Sequence, residues 1–66
     1  ELQHEIDRAI LGLPEKQRLA VVLRRYEDRS YEEIGQVLGL SIAAVKSLLF
    51  RARTELRAAL NRYLER

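Results

Sequence analysis

Cysteine is absent from this 66-residue chain, and histidine occurs once, at His4. No disulfide can staple the fold, no thiolate can hold a metal, and one imidazole cannot build a zinc site alone. His4 lies near the terminus and reads as an exposed bystander. Proline occurs once and glycine three times, which leaves little room for long loops. No stretch approaches the roughly 20 apolar residues of a membrane span. The opening Glu1-Leu2-Gln3-His4-Glu5 lacks the basic and apolar regions of a signal peptide. The lack of cysteine fits the cytoplasm, and neither a membrane nor a cofactor is expected as a partner. A glycine-rich phosphate loop is also missing. Glu32 and Glu33 are adjacent, so on a helix they point about 100° apart and cannot face each other as an acid–base pair. An enzyme acting on a small-molecule substrate is therefore not expected.

What is present is an apolar share of 47% beside a charged share of 33%. The length allows one domain at most. A chain this short buries only about 60% of the surface it exposes when unfolded. The fold must rest on apolar packing, or partly on a partner. Net charge is +2, but it is uneven. Residues 1–45 carry six Lys/Arg against eight Asp/Glu. Residues 46–66 carry Lys46, Arg51, Arg53, Arg57, Arg62 and Arg66 against Glu55 and Glu65. A basic final third on a near-neutral body fits an acidic partner, or simply a solvated helix surface.

Helical signals run throughout and predict an all-α fold of four helices. Leu2, Ile6, Ala9 and Ile10 predict a first helix over 1–11, ended by Gly12. Pro14 suits a first helical position and Glu15 the positive helix end, predicting a second helix over 14–27. Leu19, Val22, Leu23 and Tyr26 form its expected inward stripe. Ser30 and Glu33 make a capping box, which opens a third helix over 31–38. Tyr31, Ile34, Val37 and Leu38 form its expected stripe, and Gly39 stops it. Ser41 can cap a fourth helix over 41–64. Ile42, Val45, Leu49, Ala52, Leu56, Ala59, Leu60 and Tyr63 follow on one face.

Only Gly39-Leu40-Ser41 joins the third and fourth helices, so they must cross steeply. Gly35 leaves space for that approach, Gly39 can take a positive φ, and Val45 plugs the inner face. This is the spacing of a helix-turn-helix, although any tight helical corner shares it. Opposite the apolar stripe lie Ala43, Lys46, Ser47, Phe50, Thr54 and Arg57, flanked by Arg51 and Arg53. Small residues there let a backbone come close to DNA. Lys46 and Ser47 can reach base edges or phosphates, and Arg51 and Arg53 suit phosphates. Phe50 sits about 140° from Val45, counting 100° per residue. It can touch thymine methyls or sugars, pack on another protein, or fill a gap against the first helix. Leu48 lies on the flank of the stripe and is expected in the core. Arg24 and Arg25 end the second helix. Arg29, Ser30 and Tyr31 begin the third, where a helix N-terminus attracts phosphate.

Three stretches carry a family resemblance. Leu13-Pro14-Glu15-Lys16-Gln17-Arg18, Ser30-Tyr31-Glu32-Glu33-Ile34-Gly35 and Val45-Lys46-Ser47-Leu48-Leu49-Phe50-Arg51-Ala52-Arg53 resemble region 4 of bacterial RNA polymerase sigma factors. The likeness is to the extracytoplasmic-function (ECF) group and spans residues 13–57. It implies a domain, without a wing, that binds the promoter −35 element. It also implies docking on the β flap of RNA polymerase core and sequestration by anti-sigma factors. The positions matching DNA contacts are Arg24, Tyr31, Lys46, Ser47, Phe50, Arg51 and Arg53. Lys46, Ser47 and Phe50 would face bases, whereas Arg24, Tyr31, Arg51 and Arg53 would hold the backbone. Leu48 departs from the family, where many members carry arginine or another polar residue. The domain that reads the −10 element has no counterpart here, so the resemblance implies a C-terminal domain that does not start transcription alone.

Two other readings stand beside this one. The exposed apolar residues Phe50, Leu48 and Leu64 would also suit a protein-interaction module. A response-regulator output domain shares the helix-turn-helix but dimerises through a separate final helix, whereas this chain predicts one long helix and a monomer.

Overall fold

The computed structural model describes residues 1–65, leaving Arg66 outside the described residues. Four helices follow in order: α1 (Leu2–Leu11), α2 (Glu15–Arg25), α3 (Tyr31–Leu38) and α4 (Ile42–Leu64). No strand occurs among the described residues. The predicted all-α class and the number of helices both hold.

The helix starts follow local chemistry. The Glu1 carboxylate accepts from the amides of Gln3 and His4 and caps α1. Ser30 Oγ accepts from the Glu33 amide at 3.1 Å, and Glu33 Oε1 accepts from the Ser30 amide at 2.9 Å. Ser41 Oγ accepts from the Ala44 amide at 3.1 Å and caps α4. Each cap satisfies amides that have no partner within the helix.

Both ends of α2 differ from expectation, and α1 and α4 each start one residue later than expected. Pro14 is the N-cap of α2 rather than its first helical residue, with φ −53 and ψ 149. Its carbonyl already accepts from the Arg18 amide at 2.8 Å. At its other end α2 stops at Arg25, not residue 27. The chain turns through Asp28 at φ 52, a left-handed conformation that a short polar side chain tolerates. There the Arg29 amide donates back to the Leu23 carbonyl at 3.0 Å.

The core comprises Ile10, Leu13, Ala20, Val21, Ile34, Val45, Leu49 and Ala52. Ile6, Val22, Leu23, Tyr31, Leu38, Leu40, Leu48 and Leu56 pack around it. α4 touches all three other helices and forms the spine. No polar or charged residue is buried among the described residues, so the core is apolar.

Several expected inward residues point outward. Leu19 is 41% exposed and Tyr26 54%, and α2 instead buries Ala20 and Val21. Val37 on α3 and Ile42 on α4 are likewise exposed. Buried instead are the small Ala20 and Ala52, with Ile34 and Gly35 on α3. Tyr26 keeps a surface role, donating its hydroxyl to Asp7 Oδ1 at 2.6 Å across α1 and α2. That bond holds the Asp7 carboxyl below its ordinary range and raises the Tyr26 phenol.

Candidate nucleic-acid interface

The corner between α3 and α4 sets the geometry. The two helix axes meet at 97° across a break of three residues. Gly39 caps α3 at φ 70 and ψ 37, the left-handed region that favours glycine. A Cβ on Gly39 would meet nothing within 4 Å, so only the backbone angle calls for glycine there. Gly35 has the opposite reason. A Cβ on Gly35 would stand 2.5 Å from the Leu40 carbonyl oxygen and 3.6 Å from Val45 Cγ2. The obstruction is chiefly the backbone of the turn, where the Leu40 amide donates to the Gly35 carbonyl at 2.8 Å. Val45 is fully enclosed beneath this corner.

With Val45, Leu49 and Ala52 facing inward, the opposite face of α4 is turned to solvent. Lys46, Ser47, Phe50, Arg51 and Arg53 are all exposed. Phe50 is 70% exposed and fills no gap against α1. Tyr31, Lys46, Ser47, Phe50, Arg51 and Arg53 together line an open depression of about 600 Å³. Among the described residues, no salt bridge engages Lys46, Arg51 or Arg53. Their charge is therefore available to an external anion. Leu48 is half-buried and packs against the core.

Arg24 lies beside this depression rather than in it. It lines an adjoining cleft with Val21, Arg25, Leu49, Arg53 and Leu56. Its guanidinium carbon sits 5.3 Å from the centroid of the Tyr31 ring, within cation–π range. The Arg53 guanidinium beside Tyr31, with the charges of Arg24 and Lys46, holds that phenol below its ordinary value.

Three residues from the sequence reading have other engagements. Arg29 contacts the carboxylates of Glu27 at 3.5 Å and Glu33 at 3.6 Å. Ser30 is occupied by the cap, which also brings the ionised Glu33 carboxylate to that helix end. Thr54 turns its hydroxyl back onto the Phe50 carbonyl at 3.1 Å. One residue that sequence reasoning passed over joins the face. Lys16, from the start of α2, lines a groove on the other flank with Ala44, Ser47 and Arg51. A lone lysine in a first helical turn carries no signal by itself, and only the packing of α2 against α4 brings it here.

Among the described residues, no cluster of three His, Cys, Asp or Glu side chains is placed to hold a metal. What the face offers is a ridge of donors and cations beside the Tyr31 and Phe50 rings. Such a surface neutralises phosphates and contacts base edges.

Comparison with known proteins bears on that surface. A family model described as sigma-70, region 4 matches residues 3–56. The ECF RNA polymerase sigma-E factor of Escherichia coli (strain K12) is 42% identical over 53 residues, covering 80% of this chain and 28% of that protein. The protein of the same name from Salmonella typhimurium (strain LT2) matches equally well. The ECF RNA polymerase sigma factor SigW of Bacillus subtilis (strain 168) is 38% identical over 60 residues, covering 91% of this chain and 32% of that protein. The chain thus spans about a third or less of the length of these relatives.

Proposed function

Because this chain belongs to the sigma-70 region 4 family, in its ECF group, we propose that it reads the promoter −35 element as part of a bacterial sigma factor. The first half of α4 enters the major groove. Lys46, Ser47 and Phe50 face bases, while Arg24, Tyr31, Arg51 and Arg53 hold the phosphates that fix register. The observation that carries this reading is the exposed face of α4, with three cations outside any salt bridge around an outward-pointing Phe50. The mechanism is recognition without chemistry, and the domain acts as a monomer. RNA polymerase core, engaged through its β flap, supplies affinity by avidity, because a tethered second contact is effectively intramolecular.

Selection of bound duplexes from a random pool tests the reading. An adenine- and guanine-rich −35-like site is the expected product, and recovery without any shared site would overturn it. Lys46→Ala weakens binding to the selected site more than to scrambled DNA if Lys46 reads a base. Equal losses on both would make it a phosphate anchor.

The exposed ring of Phe50 also favours a protein occupant of the same face, of the anti-sigma kind. Such a complex would survive salt concentrations that release DNA.

A further inference from the structure

Arg51 and Arg53 stand two residues apart on α4, so at 3.6 residues per turn they point about 160° away from each other. Phe50 lies between the two directions. The reading face therefore has two flanks, and a different end of α2 reaches each of them. On one flank Arg24, beside the last residue of α2, lines a cleft with Arg53. On the other Lys16, in the first turn of α2, lines a groove of about 310 Å³ with Ala44, Ser47 and Arg51. Ser47 and Arg51 also line the main depression, so this groove continues the reading face. Lys16 is exposed, and among the described residues no salt bridge engages it or Arg24.

These dimensions match a duplex. A helix with its side chains is about 10–12 Å across, and the major groove of B-DNA is about 12 Å wide. Such a helix fills the groove, and its two flanks face the phosphates of two different strands. Arg24 follows Lys16 by eight residues, which at 1.5 Å per residue sets their backbones about 12 Å apart along α2. One helix thus carries a cation to each wall of the groove. Lysine suits a phosphate there, because its ammonium is a compact point charge on a flexible stem.

We propose that Lys16 is a further DNA-contacting residue, which holds a backbone phosphate on the strand opposite the one gripped by Arg24. α2 then brackets the groove, and the reading helix is held from both sides rather than hinged on one. The inference rests on the DNA-reading function above and adds to it a residue and a strand.

Two measurements test it, both by anisotropy on a labelled duplex carrying the selected site. In the first, Lys16→Ala should reduce the steepness of the salt dependence by about 0.9, the share of one neutralised phosphate in duplex DNA. It should weaken the selected site and scrambled DNA by the same factor, as a phosphate contact requires. Lys16→Arg keeps the cation and should restore the salt dependence.

The second replaces single phosphates by uncharged methylphosphonates, one position and one strand at a time. The unaltered chain should lose affinity at the phosphate that Lys16 holds, and Lys16→Ala should be indifferent to the change there. Arg24→Ala should be indifferent at a position on the other strand. A salt dependence unmoved by Lys16→Ala, a loss confined to the selected site, or a Lys16 phosphate on the strand of Arg24 would overturn the bracket and leave DNA reading intact. Failure of the unaltered chain to bind any duplex would sink both.

Discussion

A phenylalanine on the polar face of a helix has no folding reason to be there. Phe50 is 70% exposed, and the residues that hold α4 in place are Val45, Leu49 and Ala52. Phe50→Ala should therefore change stability by less than about 0.5 kcal/mol. The same change should weaken duplex binding several-fold, measured by thermal melting beside anisotropy. A loss of about 3 kcal/mol or more would return the ring to the core. The two helix-turn-helix glycines differ in the same concrete way. Gly35→Ala drives a methyl against the Leu40 carbonyl and should cost about 2–3 kcal/mol in urea unfolding. Gly39→Ala meets open space and should cost about 1 kcal/mol for its left-handed backbone alone. The reverse order would mean that the turn, not the close approach, limits this corner.

Among the elements, α3 is the shortest, and it opens on a complete capping box. The Ser30 amide bond, aided by the Ser30 hydroxyl and Arg29, holds the Glu33 carboxyl below its ordinary value of 4.5. A lowered folded value means that the contribution is complete above about 4.5 and fades as pH falls through the folded value. Asp7, lowered by its bond to Tyr26, acts in the same direction on α1 and α2. Glu33→Gln keeps an oxygen acceptor for the Ser30 amide but cannot titrate. Its melting temperature should fall less steeply below pH 4.5 than that of the unaltered chain, with the residual slope carried by Asp7. An unchanged slope would remove Glu33 from the acid response.

The helices themselves were legible because their signals are local. Ser30 with Glu33, Gly39 and Ser41 act within a turn of where they stand, and sequence spacing reports that directly. Which side of each helix is buried was less legible. Leu19, Tyr26 and Val37 keep helical spacing yet lie exposed, since burial depends on which face of a helix its neighbours cover, and that is not encoded in its own spacing. The same distinction divides the site. The face of Lys46, Ser47 and Phe50 follows from one helix and could be read along it. The meeting of Arg24, Tyr31 and Arg53 joins three helices, and no spacing rule encodes it. Arg29 proves engaged because Glu27 and Glu33 both come within ion-pair reach of it, whereas the engagement of Ser30 is already legible in the capping box with Glu33.

For the molecule as a whole, net charge is only +2, yet cations gather on the α4 face and its flanks, as the proposed reading of DNA requires. If four to six phosphates are neutralised, log affinity should fall with log salt at a slope of about −4 to −5. Titration of duplex binding across salt concentrations checks this, and a slope near zero would exclude phosphate contact as the source of affinity. Lys46, Arg51 and Arg53 stand on a helix that runs unbroken from Ile42 to Leu64. Phe50 and Leu64 are both exposed, and at 1.5 Å per residue they lie about 21 Å apart along its axis. That distance is close to the width of a DNA duplex. The rod is thus also a spacer: a body resting on its far tip stands clear of one seated at the near end, and the two need not exclude each other.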